Sequence, residues 1–487
     1  MNSNEKIAEK IAEKTAEIIV KKTSSLDQLF ENQRKAQLKD PYPTLELRRD
    51  RISRLIDILV RHEKRLIEAV NADFENRSPM MTRAYDIMPA IENLKYVHKH
   101  VKRWMKPDKR KSKFPLGLLG AKSKVEYMPL GIVGNISPWN FPVQLALSPM
   151  ADIFGAGNRI MLKPSELTPL TSAVMAEIIA GSFDETELGV VLGGAEVAAQ
   201  FSKLQFDHLL FTGSTNVARL VAQSTAPNLV PMTLELGGKN PVIISSTADI
   251  KLAAEKVMWT KTLNGGQICL CPDMVFVPEH LLENFVLECQ TSIKKMFSDM
   301  NNNDEYTHII TQRHADRLTE MLAEAESNGA RIIPLFDKVG SGRRVLPSLI
   351  VNADANNRVM QEEVFGALLP IMTYTNIQAV VDYINERPRP LALYYFGHSA
   401  QEKEVLTYQT VSGGMVVNDM LAHVLQSDLP FGGVGDSGMG AYHGFDGFKN
   451  FSHAKAIYEQ SPLDPLKILR PPYGKLVERF VSSQIKR

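Results

Sequence analysis

Cysteine is scarce in this chain: three in 487 residues, an odd number that excludes a disulfide framework and points to a reducing compartment. An excess of either charge is missing too. Lys and Arg number 56 against 55 Asp and Glu, a net charge of +1, so no whole-molecule field favours nucleic acid. No apolar run reaches membrane-spanning length, which argues against stable membrane insertion. The Lys- and Glu-rich N-terminus has neither an apolar h-region nor a small-residue cleavage site, nor the acid-poor composition of a transit peptide, so a cytoplasmic location is expected. Beyond a short N-terminal Ile-Ala-Glu-Lys run, there is no internal repeat and no low-complexity domain. What remains is an ordinary globular composition, 44% hydrophobic and 23% charged, in a chain long enough for two or three domains.

Residues 5–22 repeat Ile-Ala-Glu-Lys and place Ile7, Ile11 and Ile18 on one helical stripe; a solvated extension or a docking helix both fit. A helix opens at Thr44 and carries apolar residues at 3- and 4-residue spacings from Leu47 through Leu59 to Val70, and a second runs from Ile87 to Val101. The basic run Lys102–Lys113 reads as a solvated connector. Lys124–Met128 alternates like a half-exposed strand. Short buried strands at Gly131–Ile136, Arg159–Lys163, Val190–Leu192 and His208–Phe211 then alternate with helices at Ala146–Gly155 and Thr168–Ile179, the pattern of a parallel βαβ sheet. Further αβ units follow, and Pro430–Gly440 reads as a Gly-rich loop lying against another part of the chain. The tail around Leu476, Val477, Phe480 and Val481 is a short amphipathic helix suited to packing or a dimer contact.

Candidate chemistry sits on the turns between these elements. Cys269 and Cys271 lie on a turn behind Gly265-Gly266 and before Pro272, where a thiol can be offered to a pocket; Cys thiolates are strong nucleophiles, but most intracellular cysteines are inert. Asn140 stands on a turn bracketed by Pro138 and Pro142. Phe211-Thr212-Gly213-Ser214 passes from strand through a Gly turn into a helix, a geometry that leaves backbone N–H groups facing a phosphate, although the full dinucleotide fingerprint is absent. Glu235 sits among apolar neighbours before Gly237-Gly238, where desolvation raises a carboxyl pKa and makes a better base.

Together, Pro138-Trp139-Asn140-Phe141-Pro142, Lys163-Pro164-Ser165-Glu166, Phe211-Thr212-Gly213-Ser214-Thr215, Glu235-Leu236-Gly237-Gly238-Lys239, Gly266-Gln267-Ile268-Cys269 and Glu362-Glu363-Val364-Phe365-Gly366 resemble, in order and spacing, the motifs of the NAD(P)-dependent aldehyde dehydrogenase superfamily. Pro430-Phe431-Gly432-Gly433, Ser437-Gly438-Met439-Gly440, Tyr442-His443-Gly444 and Arg470-Pro471-Pro472-Tyr473-Gly474 are similar to its class 3 and coniferyl-aldehyde branch. The resemblance implies an α/β fold: a Rossmann-like cofactor domain (20–106 and 131–234), a catalytic domain (235–444), and a bridging element (107–130 and 445–487) whose strands pair across a homodimer, with 1–19 as an extension. It also implies roles. Cys269 would attack the aldehyde to give a thiohemiacetal and then a thioester. Asn140 and the Cys269 N–H would hold the oxyanion, and Glu235 would activate the hydrolytic water. Lys163 and Glu166 would meet the adenosine ribose, Gly213 and Ser214 the diphosphate, Glu363 and Phe365 the nicotinamide end. Glu166 favours NAD, with NADP also possible; the substrate would be a coniferyl-type aromatic or a medium-chain aliphatic aldehyde.

Several residues depart from the pattern. Ala218 and Ala367 stand where relatives have Gly and Pro, which predicts looser helix packing near the diphosphate and a looser turn behind Glu363. Cys271 gives Cys269 a neighbouring thiol; no metal site is expected from the pair, but a reversible Cys269–Cys271 bond would block the nucleophile. Rival readings are acyl transfer to coenzyme A, against which Glu235 argues, a cofactor-independent thioesterase, and an idle protein that retains the fold.

Overall fold

The computed structural model describes residues 25–300, 303–336, 340 and 342–485. The Ile-Ala-Glu-Lys repeat lies outside the described residues.

Three sheets organise the described chain. The first contains β3 (Ile132–Ile136), β4 (Arg159–Lys163), β5 (Leu188–Val190), β6 (His208–Thr212) and β7 (Met232–Glu235), all parallel, in the order β7-β6-β3-β4-β5. The second is seven-stranded and comprises β8 (Pro241–Ile244), β9 (Met274–Pro278), β10 (Arg331–Pro334), β11 (Ser348–Val351), β12 (Leu368–Tyr374), β13 (Ala392–Phe396) and β14 (Gly414–Val417). Six of its strands run parallel, with β10 antiparallel at one edge. A short β15 (Gly438–Met439) adds antiparallel to β7, pairing Gly438 with Glu235. The predicted Gly-rich loop thus contributes a strand. Gly438 is required there at φ +148°, since a Cβ would lie 2.2 Å from the Leu234 carbonyl oxygen.

The third sheet joins β1 (Asp108–Arg110), β2 (Lys122–Pro129) and β16 (Ser452–Glu459). Its pairing, Ser452 with Pro129 through Glu459 with Lys122, is made within one chain rather than across a dimer as expected from the resemblance. The half-exposed alternation of residues 124–128 follows from its place outside the two large sheets.

Helices cover the large sheets. The Thr44 hydroxyl accepts from the Leu47 N–H and starts α1 (Leu45–Arg61), as the sequence predicts. The helix does not continue to Val70: it ends at His62, and α2 (Glu63–Phe74) begins there. Both helices present the same apolar stripe, so periodicity alone bridges the break. α1 and α3 (Met88–Trp104) pack on α4 (Gln144–Ala156), which lies on the first sheet and is buried from Ala146 to Ala156, while α2 packs on the helix Pro169–Ala180. A single apolar cluster runs from these helices through Val133, Leu162 and Leu210 to Val242, Val275 and Leu369, so the two sheets share a core.

Candidate active site

β3 lies between β4 and β6, so the chain reverses its direction of travel across the first sheet at β3. Ligands bind outside the carboxyl ends of parallel strands at such a switch point. The segments that leave the strands there are Ser137–Asn140 after β3, Lys163–Glu166 after β4, Thr212–Asn216 after β6 and Glu235–Lys239 after β7. Facing them are segments that enter the second sheet: residues 263–273 before β9, Glu362–Phe365 before β12 and Arg387–Pro390 before β13. A cleft of about 1200 Å³ separates the two rims and is lined by all nine residues singled out above: Asn140, Lys163, Glu166, Gly213, Ser214, Glu235, Cys269, Glu363 and Phe365.

On the first rim, Lys163 is buried, and its ammonium donates to the Pro164 carbonyl at 2.8 Å and lies 3.6 Å from Glu166. Burial lowers its pKa against the opposing pull of Glu166, which is itself exposed. The Ser214 hydroxyl caps α5 (Thr215–Thr225) by accepting from Val217 N–H. The Gly213 N–H is already engaged, donating to the Glu235 carbonyl at 3.0 Å, so the free donors at this helix start come from later residues. Ala218 does not loosen the helix: it is buried in one cluster with Phe211, Val221 and Leu234.

Cys269 is partly exposed to the cleft. Burial, and then the carboxylates of Glu363 and Glu235, push its thiol up to about 12, while its own N–H and that of Leu270 favour the thiolate. The side chain of Asn140, which is 4% exposed, donates one N–H to the Gln267 carbonyl at 3.1 Å and keeps a second N–H for another acceptor. Glu235 ends β7 with both carboxylate oxygens buried and without a protein partner, and burial raises its pKa well above the ordinary value. Glu363 differs. Burial and Asp273 push it up to about 8, while the Gly238 N–H, Lys239 and Arg317 favour its charged form. Its carboxylate lies against Gly237, where a Cβ would stand 2.2 Å from an oxygen.

The supports behind the turn that carries Cys269 were not legible in the sequence. The Gln267 side chain donates to the Asn264 and His308 carbonyls and accepts from Ile310 N–H. Tyr394 donates to the Leu270 carbonyl and Lys261 to that of Pro272. Arg77, wholly buried between Phe74 and Phe141, donates to the Asn140 carbonyl at 2.8 Å and pairs with Asp86 at 3.1 Å. Asp86 in turn accepts from the Val143 and Gln144 N–H groups. Removing one partner of a buried pair like this destabilises by about 3–5 kcal/mol. Only polar residues embedded in apolar stretches, such as Lys261 in a buried helix, could have signalled these supports.

Two further expectations fail. Cys271 does not share the cleft: its thiol is buried in the core, 3.9 Å from the Thr260 carbonyl and raised by burial to about 11. Both thiols are free, with Cys269 lining the cleft and Cys271 packed in the core. Nor is the turn behind Glu363 loose. Arg317 donates to the Glu363 and Val364 carbonyls at 2.6 and 2.9 Å, the Val364 N–H donates to Asp273, and the Ala367 carbonyl accepts from Ser348 N–H.

The residues fit a nicotinamide dinucleotide. The hydroxyls of Ser137 and Thr212 at the ends of β3 and β6 are buried without protein partners. Val217 and Leu220, 46% and 64% exposed, line the cleft as an apolar strip that a flat ring would cover.

Comparison with known proteins agrees with this geometry. The model of the aldehyde dehydrogenase family matches residues 3–457. A Pseudomonas sp. protein named coniferyl aldehyde dehydrogenase is 49% identical over 465 residues, covering 94% of this chain and 95% of its own length. Aldehyde dehydrogenase family 3 member H1 of Arabidopsis thaliana is 32% identical over 90% of this chain and 91% of its own. Among solved structures, the substrate-bound state of Staphylococcus aureus AldH superposes with a TM-score of 0.89 at 31% identity, over 95% of this chain and 100% of that one.

Proposed function

The chain belongs to the aldehyde dehydrogenase family and oxidises an aldehyde to the acid with a nicotinamide cofactor; from that premise we propose that its substrate is a coniferyl-type phenylpropenal, that NAD is the preferred cofactor, and that Cys269, Asn140 and Glu235 carry the chemistry. The observation behind the residue assignment is that these three side chains, from three separate segments, line one cleft. The substrate class is supported by the 49% identity to the Pseudomonas protein and by the cleft walls of Trp139, Leu145 and Phe365, which suit a flat aromatic aldehyde.

Under this reading the Cys269 sulfur, once deprotonated, adds to the carbonyl carbon, and the carbonyl electron pair moves onto oxygen. The free N–H of the Asn140 amide and the Cys269 N–H hold that oxygen; preorganised donors of this kind contribute about 3–4 kcal/mol each. A nicotinamide cofactor held in the cleft would supply the acceptor for the aldehyde hydrogen as hydride. Cys269 then carries the acyl group as a thioester. Glu235 takes a proton from water as the water oxygen adds to the thioester carbon, the C–S bond breaks as the sulfur leaves as thiolate, and the acid departs; the proton on Glu235 then returns the sulfur to the thiol. Glu235, lacking a protein partner, keeps both oxygens free to accept that proton.

Lys163 and Glu166 would hold the adenosine ribose, Gly213 and Ser214 flank the diphosphate, and Glu363 and Phe365 lie at the nicotinamide end. The exposed carboxylate of Glu166 repels a 2′-phosphate, which favours NAD over NADP. The first sheet, with its helices, serves as the cofactor domain and the second as the catalytic domain. A homodimer is proposed through the small sheet and the tail, where Leu476, Phe480 and Ile485 remain exposed.

The test is formation of reduced cofactor by purified protein with coniferaldehyde, cinnamaldehyde, benzaldehyde and aliphatic aldehydes, each with NAD and with NADP. The largest kcat/KM with coniferaldehyde and NAD is expected. A larger value with aliphatic aldehydes or with NADP would overturn that part of the proposal.

A further inference from the structure

Four consecutive carbonyls, of Cys269, Leu270, Cys271 and Pro272, each accept a hydrogen bond from a side chain elsewhere in the chain: Asn240, Tyr394, Asn240 again, and Lys261. Asn240 is the hub. It is 1% exposed and directly precedes β8. Its amide nitrogen donates to Cys269 at 2.7 Å and to Cys271 at 3.0 Å, its amide oxygen accepts from the Ala392 N–H at 2.8 Å, and its backbone carbonyl accepts from the Asp273 N–H at 2.9 Å. Both N–H donors of the amide are therefore engaged on one turn, and its oxygen is anchored to β13.

In a trans peptide the C=O of one residue and the N–H of the next point in opposite directions. Drawing the Cys269 carbonyl toward Asn240 turns the Leu270 N–H the other way, and that N–H favours the Cys269 thiolate. The preceding peptide is fixed independently, because the Ile268 carbonyl accepts from the Cys271 N–H at 2.9 Å. We propose that Asn240 is a positioning residue for the nucleophile: by holding the Cys269 carbonyl it aims the Leu270 N–H at the Cys269 sulfur and stabilises the thiolate that attacks the aldehyde. Asn240 touches neither substrate nor cofactor and acts only through the turn. The inference rests on Cys269 being the nucleophile.

A merely structural role makes the opposite prediction for thiol reactivity. If Asn240 only anchored a loop, its loss would open the turn, let water reach Cys269 and make the thiol more reactive. If it aims a donor, its loss removes stabilisation from the thiolate and makes the thiol less reactive. The experiment uses the full chain with Asn240→Leu, which keeps the approximate shape but donates to neither carbonyl, and Asn240→Ser, which stays neutral but cannot span them; either variant that folds decides the matter. Iodoacetamide alkylation of the Cys269 peptide is followed by mass spectrometry at pH 8, NAD binding by fluorescence titration, and turnover with coniferaldehyde or whichever aldehyde the wild type uses best. Alkylation should slow about tenfold, and kcat should fall about a hundredfold, while the aldehyde KM and NAD Kd stay within about threefold of wild type. Unchanged or faster alkylation, or a Kd and KM that worsen in step with kcat, would overturn the proposal. Retained turnover in Cys269→Ala would instead remove the nucleophile assignment, leaving the alkylation comparison at Cys269 still measurable.

Discussion

The two rims of the cleft are opposite ends of their sheets. On the first sheet the lining groups follow parallel strands, at the carboxyl ends where strand and helix directions already converge on a ligand; on the second they precede strands β9, β12 and β13, where the topology provides no such convergence. The difference shows in how each rim is held. Apart from the Arg77–Asp86 pair behind the Asn140 turn, the first needs few special contacts: a capped helix start at Ser214 and a lysine held by its neighbours at Lys163. The second is fixed residue by residue. Arg317 holds the Glu363 turn, Lys239 and Asp273 pair between that turn and the strand-end loop, and Asn240, Tyr394, Lys261 and Gln267 hold the Cys269 turn. The strand-end segments at Lys163 and Ser214 should tolerate loss of a side chain; the turns of Asn140, Glu363 and Cys269, which are held by hydrogen bonds, should not.

Substitutions on the two rims should therefore differ in kind. Cys269→Ala is expected to abolish aldehyde oxidation while leaving the NAD Kd within about twofold of wild type, measured by turnover and equilibrium titration. Asn140→Ala should lower kcat by about 10²–10³. Asp86→Ala, which strands the buried Arg77 guanidinium behind the Asn140 turn, should cost about 3–5 kcal/mol of stability in reversible denaturant unfolding. Glu166→Gln, on the topological rim, should leave kcat within about twofold and tighten NADP binding by about 5- to 10-fold, equivalent to about 1 kcal/mol of relieved repulsion; an equal change in NAD affinity would show that Glu166 does not face the 2′ position.

The smallest effect concerns pH. The folded protein holds a proton on Glu235 above the pH at which the unfolded chain releases it, because burial raises the carboxyl pKa. Between those two pKa values the native state binds more protons, so stability falls as pH rises. Glu235→Gln removes the buried ionisation. The Tm difference between pH 5 and pH 8 should shrink in that variant by about 1–3 °C. For turnover the sign is reversed, since a base must be deprotonated to act: the hydrolytic step should accelerate as pH rises through the range in which Glu235 and Glu363 lose their protons.

Legibility in the sequence followed the same division. Strands such as Arg159–Lys163 and His208–Thr212 and the helix cap at Thr44 could be read directly, because burial and capping are local patterns. The motif residues could be placed through resemblance, and they converge on one cleft. Arg77, Asp86, Asn240 and Gln267 could not be read, because each acts on a carbonyl or N–H distant in sequence, and a buried amide looks like any other polar residue until the fold brings its partner near. The break at His62 was hidden by an apolar stripe continuing across it. The two cysteines show the limit most plainly: neighbours on the turn, they serve the cleft and the core separately.

The most direct test of the assignment is a rapid-quench experiment on Glu235→Gln with coniferaldehyde, or the best aldehyde found, and NAD. Without its base the enzyme should form one equivalent of reduced cofactor per site in a burst and then stall, with the acyl group found by mass spectrometry on the peptide containing Cys269. Steady turnover without a stall would contradict Glu235 as the hydrolytic base, and an acyl group on any other residue would contradict Cys269 as the nucleophile.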